Sequence, residues 1–171
     1  MSVFNIEEYI NSLPDDIEII DVSNKSLTYL PSLKRFYKLK ELYCYNNQLT
    51  SLPALNQSLQ KISCYNNQLT SLPALNPSLQ YLDCYHNQLT SLPALNQSLQ
   101  YLDCCHNQLT LLPALNQSLQ ELYCYHNQLT SLPALNQSLQ YLDCSNNLLS
   151  ISINKGWLDE EQKNTINNAF Q

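Results

Sequence analysis

Three histidines, His86, His106 and His126, stand 20 residues apart, and Asp83 and Asp103 precede the first two by three residues, with Asp143 in the same phase. Imidazoles in register are a starting point for a divalent-metal site, and a carboxylate near an imidazole is a starting point for acid–base chemistry. Neither is completed here. Metal ligands converge from several directions and lean on a second shell, whereas a ladder offers one direction only. The histidine position also takes Asn24, Asn46, Asn66 and Asn146. The aspartates fall on an open surface with no enclosing pocket to raise a carboxyl pKa, and no nucleophile–base–orienter set is visible. No catalytic residue, metal or cofactor is therefore expected.

What positions these residues is a repeat. The unit LQKISCYNNQLTSLPALNPS, residues 59–78, recurs almost unchanged every 20 residues. Copies start near residues 17, 39, 59, 79, 99, 119 and 139, the first of them two residues longer. A unit this short cannot bury its own apolar side, so the copies must stack over one elongated core. In the copy from Leu79 the core positions are Leu79, Leu82, Cys84, Leu89, Leu92 and Leu95. Residues 81–85 alternate with period two and predict a short strand, Tyr81 to Tyr85. One coil per copy lays the strands parallel, about 4.8 Å apart. Asn47, Asn67, Asn87, Asn107, Asn127 and Asn147 occupy the turn that leaves the sheet, where an inward amide can bond buried backbone groups copy after copy. The first copy has Lys25 there, so its turn should be irregular. Pro53, Pro73, Pro93, Pro113 and Pro133 exclude a full helix from the outer side, although a helical turn around Arg35 to Lys38 is possible in the long first copy.

Residues 1–16 and 151–171 break the pattern and read as caps over the open ends of the core. Asn5 with Glu8 suggests a capping box ahead of a helix from about Ile6 to Ser12. In the tail, Ile151 and Ile153 alternate like an edge strand and Lys155-Gly156 punctuates. Asp159 with Gln162 starts a helix from about Glu160 to Ala169, with Trp157 and Phe170 plugging the core, or Trp157 instead forming part of a docking site.

Six of the seven cysteines, Cys44, Cys64, Cys84, Cys104, Cys124 and Cys144, share one repeat position with Val22. That exchange marks a small buried slot for a reduced thiol, in a cytoplasm-like compartment. Cys105 replaces a tyrosine. The net charge of −6 argues against nucleic acid as partner. No signal segment and no stretch of membrane-spanning length is visible.

With Leu and Cys of each strand inward, the alternate residues face outward in three columns. They run Ile19, Glu41, Lys61, Tyr81, Tyr101, Glu121, Tyr141; then Asp21, Tyr43, Ser63, Asp83, Asp103, Tyr123, Asp143; then Ser23, Tyr45, Tyr65, Tyr85, Cys105, Tyr125, Ser145. Tyrosine gives broad contact area and a hydroxyl at low entropic cost. The candidate partner-binding residues are thus Tyr43, Tyr45, Tyr65, Tyr81, Asp83, Tyr85, Tyr101, Asp103, Tyr123, Tyr125, Tyr141 and Asp143. The same tyrosines would also stabilise the sheet simply by stacking.

The pattern apolar-x-x-apolar-x-apolar-x-x-Asn-x-Leu-x-x-Leu-Pro resembles the leucine-rich repeat family over Ile17 to about Leu149. Its length and Leu-Pro resemble the short bacterial-type repeats of secreted effectors, with similar repeats in large DNA viruses. The resemblance implies an α/β repeat solenoid: a concave parallel sheet, a largely non-helical convex side and helical caps. It also implies a non-enzymatic, protein-recognition role. The chain departs from the effector pattern where Asn56, Asn76, Asn96, Asn116 and Asn136 replace the usual Pro. The expected function is a monomeric protein-interaction module with an unnamed protein partner, no nucleic acid and no membrane. Its place would be the cytoplasm, or a host cell's cytoplasm if it is secreted or viral. A structural or self-associating protein is the other reading, and a carbohydrate platform on Tyr81, Tyr101 and Tyr141 a weaker third.

Overall fold

The computed structural model describes residues 4–151, 153 and 155–170. Seven three-residue strands follow one another at the repeat interval: β1 (Ile19–Asp21), β2 (Glu41–Tyr43), β3 (Lys61–Ser63), β4 (Tyr81–Asp83), β5 (Tyr101–Asp103), β6 (Glu121–Tyr123) and β7 (Tyr141–Asp143). All pair parallel and in phase, so that Leu82 lies opposite Leu102 and Asp83 opposite Asp103. An eighth strand, β8 (Gly156–Trp157), closes the sheet antiparallel to β7. Helices α1 (Ile6–Ser12) and α2 (Glu160–Ala169) lie at the two ends of the chain.

Each strand is shorter than its alternation predicts. Asp83, not Tyr85, ends β4, because the chain turns at the next residues and enters the left-handed region at His86, with φ of 53°. Hydrogen bonding between coils nevertheless continues past the strand: the Cys84 amide donates to the Asp103 carbonyl at 2.8 Å and the His86 amide to the Cys105 carbonyl at 2.9 Å.

Inward-facing residues make one continuous core. Cys44, Cys64, Cys84, Cys104 and Cys124 are fully buried beside Leu42, Ile62, Leu82, Leu102 and Leu122. Burial pushes the Cys44 thiol up to about 12 and Cys144 up to about 11, so these sulfurs stay protonated at neutral pH. Thiol labelling of the native protein should therefore modify Cys64, Cys84 and Cys104 at least about tenfold more slowly than free cysteine. Labelling as fast as free cysteine would mean that the sheet is turned the other way.

Two asparagine ladders hold the coils together. Asn107 donates to the carbonyls of Cys84, Cys104 and Cys105, each at 3.1 Å, and accepts from the Leu89 amide at 2.9 Å. Asn47, Asn67, Asn87, Asn127 and Asn147 repeat the arrangement. At Lys25 the missing amide leaves the irregular turn expected, with both Asn24 and Ser26 at positive φ. The second ladder sits at Asn56, Asn76, Asn96, Asn116 and Asn136, the positions that depart from the Pro which the resemblance implies. Asn116 bonds the Leu99 carbonyl at 3.0 Å and Asn136 the Leu119 carbonyl at 3.2 Å, while Asn56 bonds those of Leu33 and Phe36. It falters at Asn76, whose Nδ2 is buried with no partner among the described residues. Pro77 follows it in place of Gln and restricts its backbone, and Asn76 turns its oxygen to the Ser78 amide instead.

The convex segments, such as residues 51–56, are extended with no helix. The Arg35–Lys38 stretch forms turns rather than a helical turn of its own, with Phe36 fully buried beneath it. Asn5 caps α1 by accepting from the amides of Glu7 and Glu8, so the cap is present as a single-sided one. Asp159 and Gln162 form the full reciprocal box on α2.

Two tail expectations need correction. Trp157 is no plug: its side chain is 69% exposed, because pairing of Gly156 and Trp157 with β7 turns the indole toward the tyrosine face. Ile166, Leu158, Ile153 and Phe170 pack on the core in its stead. The edge strand lies at Gly156–Trp157, Ile151 and Ile153 are not in a strand, and residues 152 and 154 of that expected segment lie outside the described ones.

Candidate binding face

The backbone alternation of β2 to β7 sets the tyrosines on the face opposite the core, and the parallel register then brings equivalent rings within stacking distance. Tyr45 and Tyr65 stack at 4.5 Å and 4°, and Tyr81 and Tyr101 at 4.2 Å and 6°. From Tyr101 the file steps across to Tyr123 at 5.5 Å, returns to Tyr141 at 4.9 Å and ends edge-on at Trp157, 5.4 Å further. Lys61 begins the file, its ammonium 4.5 Å from the Tyr81 ring centre and 5.4 Å from that of Tyr43. The sequence columns could not show this track, because it crosses between columns and recruits a residue from the tail.

Of the twelve sequence-predicted residues, eleven are half-exposed on this face. Asp143 is the exception and is buried, beside the Ser145 hydroxyl at 2.6 Å and Lys155 at 3.9 Å. An open depression of about 400 Å3 lies among Tyr43, Tyr45, Lys61, Tyr65, Tyr81 and Asp83.

The carboxylates meet competing demands. Asp83 accepts from the Tyr85 amide at 3.4 Å and from Ser63 Oγ at 3.2 Å; Asp103 accepts from the Cys105 amide at 3.0 Å. Burial and the facing Asp103 still push Asp83 up to about 6, and burial raises Asp103 as well. Phenols are raised in the same way: Tyr43 to about 12 through its bond to Glu41, and Tyr125 to about 12 by burial. They remain protonated donors at neutral pH. Glu121 likewise takes the Tyr123 hydroxyl at 2.9 Å.

The histidine row has a conformational cause. Asn24, Asn46, Asn66, His86, His106, His126 and Asn146 all hold φ between 50° and 57°, the left-handed region that Asn and His tolerate better than most residues. An Asn/His exchange at one repeat position, in a chain with a single glycine, was the signal for it. The imidazoles stack, His86 to His106 at 5.9 Å and His106 to His126 at 4.4 Å, and His106 also packs edge-on to Tyr85 and Tyr125 above the buried Cys105. His106 thus fills the notch left by the missing tyrosine. No metal-holding group of three His, Cys, Asp or Glu occurs among the described residues.

Burial and the flanking imidazoles lower the His106 pKa. A lowered imidazole pKa means that the fold favours the neutral ring, so stability is lost as pH falls through about 6.5 toward the folded value. His106→Asn should remove that loss. The unfolding midpoint of the variant should fall less than that of the parent protein on going from pH 7.5 to pH 5.5 in low salt. Parallel unfolding midpoints at the two pH values would refute it.

A parallel β-solenoid of short coils, with apolar residues inward, asparagine ladders at the turns and a sheet face left open, is the architecture of a leucine-rich repeat. The family described as "Leucine Rich repeats (2 copies)" matches residues 57–97, 97–136 and 117–156, and the chain belongs to the leucine-rich repeat family. Among solved structures, the leucine-rich repeat domain of a Shigella effector is 34% identical with a TM-score of 0.69, over 76% of this chain and 57% of that one. The leucine-rich effector protein YopM from Yersinia pestis is 32% identical with a TM-score of 0.63, over 77% of this chain and 44% of its own. The functional domain of InlJ from Listeria monocytogenes, which includes a cysteine ladder, is 27% identical with a TM-score of 0.50, over 86% of this chain and 42% of that one. The chain thus spans about half the length of these proteins. No curated protein matches it. Leucine-rich repeat folds generally serve as protein–protein interaction modules.

Proposed function

We propose that the chain is a non-enzymatic recognition module that binds a protein partner through the tyrosine face of its sheet. The carrying observation is the run of aromatic rings held half-exposed, in register, along one side of a rigid solenoid. Rings already packed against one another lose little entropy on binding, and such anchors dominate interfaces. Nothing encloses Asp83 or Asp103 as a catalytic pocket would, and the acidic balance disfavours nucleic acid. No helix among the described residues is long and apolar enough to cross a membrane. The buried free cysteines and the likeness to two effectors support work in a cytoplasm, the cell's own or, for a delivered effector, the host's.

Capture from a lysate on the tagged chain, repeated with Tyr45, Tyr65, Tyr85 and Tyr125 changed to Ser, tests the reading. Recovery of the captured protein should fall at least about tenfold, and equal recovery would remove the face from the function. A second reading, self-association, is favoured by β1, which pairs on one side only and carries half-exposed Ile19. Light scattering separates the two, since a mass that grows with concentration belongs to the assembler.

A further inference from the structure

Charge is distributed unevenly along this solenoid. Between Lys61 and Lys155 the chain has no Lys or Arg, and its only charged residues there are Asp83, Asp103, Glu121 and Asp143. All four lie on strands β4 to β7 at positions facing away from the core. The convex side and both turns of these copies are neutral. A chain that used charge only for solubility would spread it over the exposed convex positions, whereas here it is confined to the aromatic face.

Four of the six cations elsewhere are already engaged in ion pairs. Arg35, Lys38 and Lys40 pair with Asp15, Asp16 and Glu18, and Lys163 pairs with Glu160. Two cations reach the face from its ends: Lys61 rests over Tyr43 and Tyr81, and Lys155 approaches Asp143. Between them Asp83, Asp103 and Glu121 have no ion pair among the described residues. The seat of Lys61 displays the chemistry that the middle of the face offers: an alkyl stem along phenol rings, with a charged head among carboxylates.

Rings stack face to face at Tyr81–Tyr101 and Tyr123–Tyr141, with a tilted step between the pairs and an edge-on contact at Trp157, so the outward surface over the tyrosines is rich in ring edges, hydroxyls and carboxylate oxygens. That surface is rich in acceptors. The file runs across five strands, roughly 20 Å at the strand spacing, which matches about six residues of extended chain.

Resting on the binding reading above, we infer that the occupant is an extended, arginine-bearing polypeptide segment of about six residues, laid along the file from β4 to β8. Its guanidinium groups pair with Asp83, Asp103 and Glu121 while its stems cover the ring edges. Arginine suits the place better than lysine because its planar fork engages two carboxylate oxygens at once. Groups facing the Asp83–Asp103 pair are Lys61, Tyr81, Tyr101 and the Ser63 hydroxyl, with the Cys105 thiol, His106 and Asp143 on the Asp103 side.

Fluorescence anisotropy of a labelled hexa-arginine peptide on the full chain tests this. Binding at about 50 mM salt should weaken at least tenfold in the Asp83→Asn/Asp103→Asn variant. It should stay within about twofold in Glu8→Gln/Glu161→Gln, which removes the same charge from exposed sites in the helical caps. Asparagine can still accept the Tyr85 and Cys105 amides, so the first variant keeps the turn, and far-UV dichroism checks it. Equal weakening in both variants, absence of binding by the parent chain, or displacement by spermine at matched charge would each overturn the proposal. Failure of the peptide alongside tyrosine-dependent capture removes only the cationic assignment. Tyrosine-independent capture removes the binding reading beneath it.

Discussion

Asn107→Ala is expected to lower unfolding stability by about 4 kcal/mol, read as a shift of the urea midpoint at constant slope. One side chain satisfies three buried carbonyls and one buried amide drawn from two adjacent coils. Alanine leaves the buried Leu89 amide without its partner, at about 1–3 kcal/mol, and strips one bond of about 0.5–1.5 kcal/mol from each of the three carbonyls. The carbonyls are partly served by their own ladder bonds, which holds the total toward the lower end. Asn147→Ala makes the internal comparison. It has the same pattern of partners, but its surroundings at the end of the stack are half-exposed, so water can step in and the loss should be about half as large. A central substitution also separates the coils on either side, because a solenoid is held by nearest-neighbour contacts. A loss below about 1 kcal/mol at Asn107 would show the ladder to be incidental.

The inward half of this molecule was legible because a period of 20 residues repeats each decision several times. Leu82, Cys84 and Asn87 recur in copy after copy, and the exchange of Cys with Val22 marks the slot as buried. What stayed illegible lies where copies differ or where the repeat stops. Trp157 reads as a plug in a sequence that has no way to show β8 turning back against β7. Asp143 shares its column with Asp83 and Asp103, yet the returning tail buries it and brings Lys155 near. The histidines suggest chemistry by their side chains alone, because a sequence does not display the backbone conformation that selects them. Positive φ at His86, His106 and His126 accounts for the exchange with Asn without a ligand. The second asparagine ladder was visible only as a departure from an effector-type Pro, since a residue that removes a donor gives no hint of what a donor would bond.

Asp83→Asn/Asp103→Asn should make the protein more stable at pH 7, by about 2 kcal/mol, or roughly thirtyfold in the folding equilibrium. The direction follows from the sign of the shift. Asp83 has its carboxyl raised from 3.8 to about 6, first by burial and then by the charge of Asp103 across the register. In that window the folded protein holds a proton that the unfolded chain has released. Stability therefore falls as pH climbs from about 4 to about 6 and stays reduced above it, with Asp103 raised by burial in the same direction. The figure is discounted below the full shift because both groups keep some solvent and Lys61 offsets part of the charge. Removing both charges should flatten this part of the pH–stability curve, and a variant no more stable than its parent at pH 7 would refute the account. Asparagine would keep the amide contacts, and the chain uses it at two other positions in nearly every copy. Two facing carboxylates that cost stability, on a face with no ion pair to meet them among the described residues, are what a surface kept for a cationic partner requires. The same double variant should therefore gain stability and lose the arginine peptide together. Gain without loss would leave the carboxylates as unexplained strain and take the cationic partner with it.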